Sequence, residues 1–171
     1  LSSLLALLPD AGQRQLLGRI DPGVGMVIHI CASAAEADRL LARIQPDVLL
    51  SGHRASPAWL VQARSRDADA FRIVWSGEDL LSNALDAINR GDVDAVLREP
   101  FEAESAIALF HHGGEQALLR RHTRSLVDEL AVRNAELLGF NERLEELVAE
   151  RLSRDGFAEL AESLGTENAE A

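Results

Sequence analysis

Pro46-Asp47-Val48-Leu49-Leu50-Ser51-Gly52-His53-Arg54 is the stretch on which the fold turns. Val48-Leu49-Leu50 reads as a short strand, and its unbroken apolar character marks a strand buried on both faces, as in a parallel sheet. Ser51-Gly52 then stops the run with turn-forming residues. Similar runs lie at Leu4–Leu8, Met26–Cys31, Phe71–Trp75 and Val93–Leu97. Between them, apolar residues fall at helical three-to-four spacing: Leu16/Leu17/Ile20, Ala37/Leu40/Leu41/Ile44, Trp59/Leu60/Ala63 and Leu80/Leu81/Ala84/Leu85/Ile88. Strands alternating with helices over short connections predict βαβ units with helices on both faces of the sheet.

Punctuation agrees with these boundaries. Asp21-Pro22-Gly23 closes the first helix, Ser33 is placed to cap the second, Pro57 opens the third at its first turn, and Gly91 stops the fourth. Five strands and five helices within about 110 residues is the size of a flavodoxin-like, doubly wound α/β domain.

Composition narrows the function. Apolar residues make up 47% of the 171-residue chain, and mean hydropathy is −0.04, which describes a folded globular protein. No apolar run is long enough to span a membrane. Leu1–Leu8 is too short for a signal peptide and lacks a basic flank and a cleavage signature. The chain opens without methionine, as an excised segment would. A net charge of −11 argues against nucleic acid and anionic membrane as partners, since both select a basic face. The single cysteine, Cys31, excludes an internal disulfide and a multi-cysteine zinc site, and its apolar surroundings make it a small core residue in a reducing cytoplasm. All 17 basic residues are arginine. Without lysine, Schiff-base chemistry and a P-loop are unavailable.

From about Glu115 the strand signals vanish and a charged, leucine-rich helical pattern runs to Leu152. With Leu130, Leu137 and Leu144 at heptad position d, Val127, Asn134, Asn141 and Val148 fall at a. This predicts a coiled-coil seam of about three heptads and a homodimer, because each asparagine at a can bond its own mate in a parallel, in-register pair. The apolar face is wider than a minimal zipper: Leu126, Phe140 and Leu147 lie at g, and Ala131 and Leu138 at e, so a four-helix arrangement or docking against the globular part is also open. The resulting organisation is a globular domain at 1–114, a dimerisation helix at 115–152 and an acidic, flexible tail at 153–171, in which Phe157/Leu160/Leu164 leave room for another helical turn or two. Gly113-Gly114 would serve as the hinge between the first two.

FRIVWSGEDLLSNALDAINRGDVDAVLREPF, residues Phe71–Phe101, is similar to the fourth strand through the fifth strand of receiver domains of the response-regulator family. Ser76-Gly77, Ala87-Ile88-Asn89-Arg90-Gly91 and Glu99-Pro100-Phe101 carry the likeness, and with the 46–54 stretch it spans roughly residues 3–112. The resemblance implies a five-stranded parallel sheet in the order 2-1-3-4-5. In that family two acidic residues and a phospho-accepting aspartate hold Mg²⁺, a lysine contacts the phosphoryl group, and a hydroxyl and an aromatic residue relay the change. Mg²⁺ favours hard anionic oxygens, and a phosphoryl group on a carboxylate needs a cation beside it.

On that pattern Ser51 replaces the acceptor and Asp10, beside Pro9, is all that remains of the acidic pair. Glu99 reverses the charge of the lysine, Val96 replaces the aromatic relay, and Ser76 alone is kept. The expectation is a degenerate pocket of Asp10, Ser51, Ser76 and Glu99, binding no metal or cofactor. Such a chain is a non-enzymatic, cytoplasmic signalling module that recruits or regulates a partner or output domain in two-component-type signalling. The alternative is phosphotransfer through His122, or catalysis by Ser51/His53. Against it, Ser51 and His53 have no acidic orienter or oxyanion loop. His122 lacks a kinase-type setting, and His111-His112 lack the spacing of a helical metal pair. Glu99 and Asp10 are expected to pair with Arg54 or Arg98 in a permanent lock.

Overall fold

The computed structural model describes residues 2–52, 58–77 and 86–167. In chain order they form β1 (Ser2–Leu7), α1 (Ala11–Leu17), β2 (Met26–Cys31), α2 (Ala34–Leu41), β3 (Val48–Ser51), α3 (Ala58–Arg66), β4 (Phe71–Ser76), a helical turn at 86–89, β5 (Ala95–Arg98) and α4 (Ala103–Glu167). All five strands are parallel and stand in the order β2-β1-β3-β4-β5. The flavodoxin-like expectation therefore holds in class and strand order. His53, Arg54 and Pro57, and the helical pattern at Leu80/Leu81/Ala84/Leu85, lie outside the described residues.

Side-chain alternation along each buried strand feeds two cores. Leu4, Ala6, Val48, Leu50, Ile73 and Trp75 point to the side covered by α1 and the start of α4, where Leu17 and Phe110 close the layer. Leu5, Leu7, Leu49 and Val74 point to the opposite side, against Ala37 and Leu41 of α2 and Trp59 and Leu60 of α3. Cys31 is fully buried in this second core, and burial, with the Glu36 charge adding to it, pushes its thiol up to about 11. It is a core residue, as composition suggested.

Local signals explain the ends of the elements. Ser33 Oγ accepts from Glu36 N at 3.3 Å while Glu36 Oε2 accepts from Ala32 N at 3.0 Å, a reciprocal cap for α2. Gly91, at φ +73°, closes the 86–89 turn in the left-handed conformation. β5 begins two residues later than the apolar run suggests. Val93 is buried in the α2/α3 core, and the Asp94 carboxylate accepts from Arg72 N at 2.8 Å, so the ladder begins at Ala95.

α4 continues without a break through Gly113 and Gly114, where a hinge was expected, and is helical to Glu167, through most of the expected flexible tail. The glycines serve close approach instead. A Cβ on Gly113 would sit 2.7 Å from Phe71 Cδ1, and one on Gly114 2.9 Å from Ser2 Oγ. Gly113→Ala is therefore expected to destabilise by about 1–3 kcal/mol through overpacking, despite the better helix propensity of alanine. Gly139, with open space around its Cβ position, is the control: Gly139→Ala should raise helix stability by up to about 1 kcal/mol. Thermal denaturation of both variants checks the opposite signs.

The chain divides into two compact units, Leu1–Thr123 and Arg124–Ala171. Thus the α/β unit keeps two further turns of α4 beyond residue 114. Arg120 and Arg121 account for this. Arg120 donates to Asp94 at 2.8 Å and stacks 5.7 Å over the Phe71 ring. Arg121 donates to Asp47, to Asp67 at 2.8 Å and to the Pro46 carbonyl at 2.9 Å. Asp94 also pairs with the nearly buried Arg72 at 3.0 Å. Two loops and the base of a strand at the N-terminal edge of the sheet are thereby tied to one helix. In the second unit, every described side chain from Arg124 to Phe157 except the near-surface Gly139 is exposed, the leucines included.

Candidate functional site

Parallel strands place their C-terminal ends along one edge, and ligand sites of open α/β sheets form there. β1 leads into Pro9-Asp10, β3 ends in Ser51-Gly52, β4 in Ser76 and β5 in Arg98-Glu99. Register brings them side by side: Leu7 pairs with Ser51, Ser51 with Val74, and Ser76 with Arg98. Glu99 N donates to Ser76 O at 3.0 Å and Gly52 N to Leu7 O at 2.9 Å. Asp10, Ser51, Ser76 and Glu99 all stand at this edge.

The chemistry of each differs from an ion-binding carboxylate cluster. Asp10 is the N-cap of α1, its Oδ1 accepting from Gln13 N at 3.1 Å. Ser51 is 1% exposed, and its hydroxyl has no hydrogen-bond partner among the described residues. Ser76 Oγ donates to the Gly77 carbonyl at 3.0 Å. Glu99 Oε1 accepts the indole N–H of Trp75, a side chain with no exposed surface. Val96 is half-buried against the α2/α3 core.

The Trp75–Glu99 bond was not anticipated; sequence reading sought an arginine for Glu99. It gives the carboxylate a structural task. A buried indole must find an acceptor, and the carboxylate end of the β5 loop supplies it. Phe101 completes the arrangement with an edge-to-face contact on Trp75 at 5.0 Å. Glu99→Ala would strand a buried N–H and is expected to cost about 1–3 kcal/mol, whereas Glu99→Gln keeps an acceptor and should cost less than half of that. Urea denaturation of the two variants, with tryptophan emission as the probe, measures the difference.

Gln13 was also missed. It lies in the first turn of α1, only 4% exposed, and its Oε1 is 2.5 Å from the point where a Cβ on Gly52 would stand. Its carboxamide thus lies directly over Gly52, beside Ser51, with Leu8 Cδ2 3.0 Å from the same point. A side chain at position 52 would have to push both groups aside. The sequence held a weak signal: a polar residue three positions after an N-cap aspartate, on a helix that must pack on the sheet. The space at the end of β3 is filled by a neutral amide.

Two of the histidines have structural surroundings. His111 Nε2 is 3.0 Å from the Pro22 carbonyl, and His112 packs edge-to-face on Phe71 at 5.9 Å. His122 is exposed on α4. No group of three or more potential metal ligands occurs among the described residues. No described helix is long and apolar enough to cross a membrane. An open groove of about 490 Å³, lined by Leu16, Glu99, Pro100 and Phe101, flanks the edge.

No family model matches the chain, and no curated protein matches its sequence. Solved structures do. An adenylate cyclase from Rhodopirellula baltica superimposes with a TM-score of 0.68 at 20% identity, over 75% of this chain and 98% of that one. The signal receiver domain of an HD domain-containing protein from Pseudomonas fluorescens Pf-5 gives 0.63 at 20% identity, over 71% and 92%. A response regulator receiver domain protein from Clostridium thermocellum gives 0.62 at 18% identity, over 70% and 98%. At these identities the likeness is one of fold. The chain has the receiver fold, followed by a long C-terminal helix.

Proposed function

We propose that this chain is a non-enzymatic signalling module. Its receiver-fold body does not accept phosphate, and a second copy pairs with it through α4 to present a surface to a partner or output domain. The pocket residues Asp10, Ser51, Ser76 and Glu99 are then structural. The observation that carries this reading is the commitment of Glu99 to the Trp75 indole, at the position where the resemblance calls for a cation. Gln13 over Gly52 supports it, because an incoming phosphoryl group would have to expel a packed side chain. A neutral serine hydroxyl beside them is a poor nucleophile and a poor metal ligand.

Pairing with a second copy is favoured by Val127, Leu130, Asn134, Leu137, Asn141, Leu144 and Val148 on the exposed helix. In a parallel, in-register dimer Asn134 and Asn141 each meet their own counterpart, and a foreign helix would need asparagine at both matching places. The exposed leucines and valines of 126–152 form a longer apolar stripe than a lone helix keeps in water. A reduced cysteine buried in the core fits a cytoplasmic setting. The test is solution mass. At micromolar concentration the full chain is expected at twice 18.6 kDa, and a chain ending at Thr123 is expected folded and monomeric. A full-length monomer would contradict the pairing.

A further inference from the structure

Leu130, Leu137 and Leu144 form a column flanked on both sides by further candidate seam residues. On one side stand Val127, Asn134, Asn141 and Val148; on the other stand Leu126, Arg133, Phe140 and Leu147. Each flank completes a 3-4 heptad repeat with the shared leucines. All the apolar members of both flanks are exposed, from 46% at Leu126 to 60% at Leu147. We infer that α4 carries two overlapping, mutually exclusive self-association seams, related by a rotation of about 50° of each helix, one-seventh of a turn. This rests on the self-pairing proposed above and adds its regulation.

Neither seam dominates the other. The first buries two asparagines and leaves Leu126, Phe140 and Leu147 beside the core, where charges usually stand. The second buries those three and places Glu129, Glu136, Arg143 and Glu150 at the flanking position suited to charge. Its liability is Arg133. That guanidinium is bonded to Glu129 Oε1 at 2.6 Å, which draws the charge out of the seam while the stem stays apolar.

A helix with two near-balanced seams is a two-state element that a small bias can tip.

Cysteine cross-linking of the full chain decides the matter, since the sole native cysteine is buried. Leu137→Cys belongs to both seams and Val132→Cys to neither. Leu126→Cys reports the second seam and Val127→Cys the first. The expected result is strong disulfide formation at 137 and formation at both 126 and 127 well above 132. In an Asn134→Leu/Asn141→Leu background the 127:126 ratio should rise several-fold, and in an Arg133→Leu background it should fall several-fold. Cross-linking at only one of 126 and 127, or a ratio indifferent to both backgrounds, overturns the two-seam inference while 137 still reports a dimer. Failure at 137 together with a monomer mass overturns the pairing itself, and the two seams with it.

Discussion

Asp94→Ala is expected to lower the stability of the α/β unit by about 3–5 kcal/mol, the cost of breaking a buried ion pair by deleting one partner. Arg72, 5% exposed, keeps its charge inside the protein. It would lose the bonds from Nε at 3.0 Å and Nη2 at 3.4 Å as well as the acceptor for its own backbone N–H. Its Nη1 is already without a partner among the described residues, so no reserve exists. Arg120 would lose the same carboxylate. Chemical denaturation of the chain ending at Thr123 isolates the effect from any pairing. Asp94→Asn, which retains an acceptor, should fall between.

The same carboxylate sets an acid limit. Burial alone would raise its pKa, but the hydrogen bonds from Arg120 and Arg72 and the Arg72 charge outweigh burial and hold it below the ordinary aspartate value. The folded state thus binds the proton less readily than the unfolded one. Its contribution is fully present above the unfolded value, about pH 4, and is lost as pH falls through the folded value. Thermal midpoints should be insensitive to Asp94 ionisation above about pH 5 and decline below about pH 4, with a shallower decline in Asp94→Asn.

The second large effect concerns α4. Leu137 is 60% exposed and belongs to both seams. Leu137→Glu removes two leucines per dimer, each contributing about 1.5–3 kcal/mol when buried, and sets two carboxylates face to face, so the dimer dissociation constant should rise by on the order of a thousandfold. The α/β unit should be untouched, because no described side chain from Arg124 to Phe157 other than Gly139 is even partly buried. Sedimentation across a concentration series reads the dissociation, and tryptophan emission from Trp59 and Trp75 reads the intact body.

How far the sequence revealed this protein depended on the range of the interactions involved. The strands were legible because burial on two faces leaves unbroken apolar runs, and Ser33 and Gly91 acted through partners within a few residues. β5 was placed two residues early because Val93 is apolar for packing, not for pairing. The arginine anchors were not legible: Arg121 reaches Asp47 across 74 positions and Asp67 across 54, and no local pattern announces such pairs. Gly113-Gly114 shows the limit of reading glycine alone, since a residue chosen for Phe71 to pack against looks the same as one chosen to bend. At the candidate site the odd residues Ser51 and Glu99 were visible, but their surroundings were not. Trp75 and Gln13 reach the edge through the sheet register and the docking of α1, which only the folded chain supplies.

The most direct test of the central claim is incubation of the full chain with a small phosphoryl donor and Mg²⁺, followed by intact-mass measurement under conditions that preserve acyl and imidazole phosphates. The account predicts an unchanged mass. A stoichiometric phosphate adduct, whether at His122 or near Ser51, would contradict it and would make the receiver fold here a working phosphotransfer site.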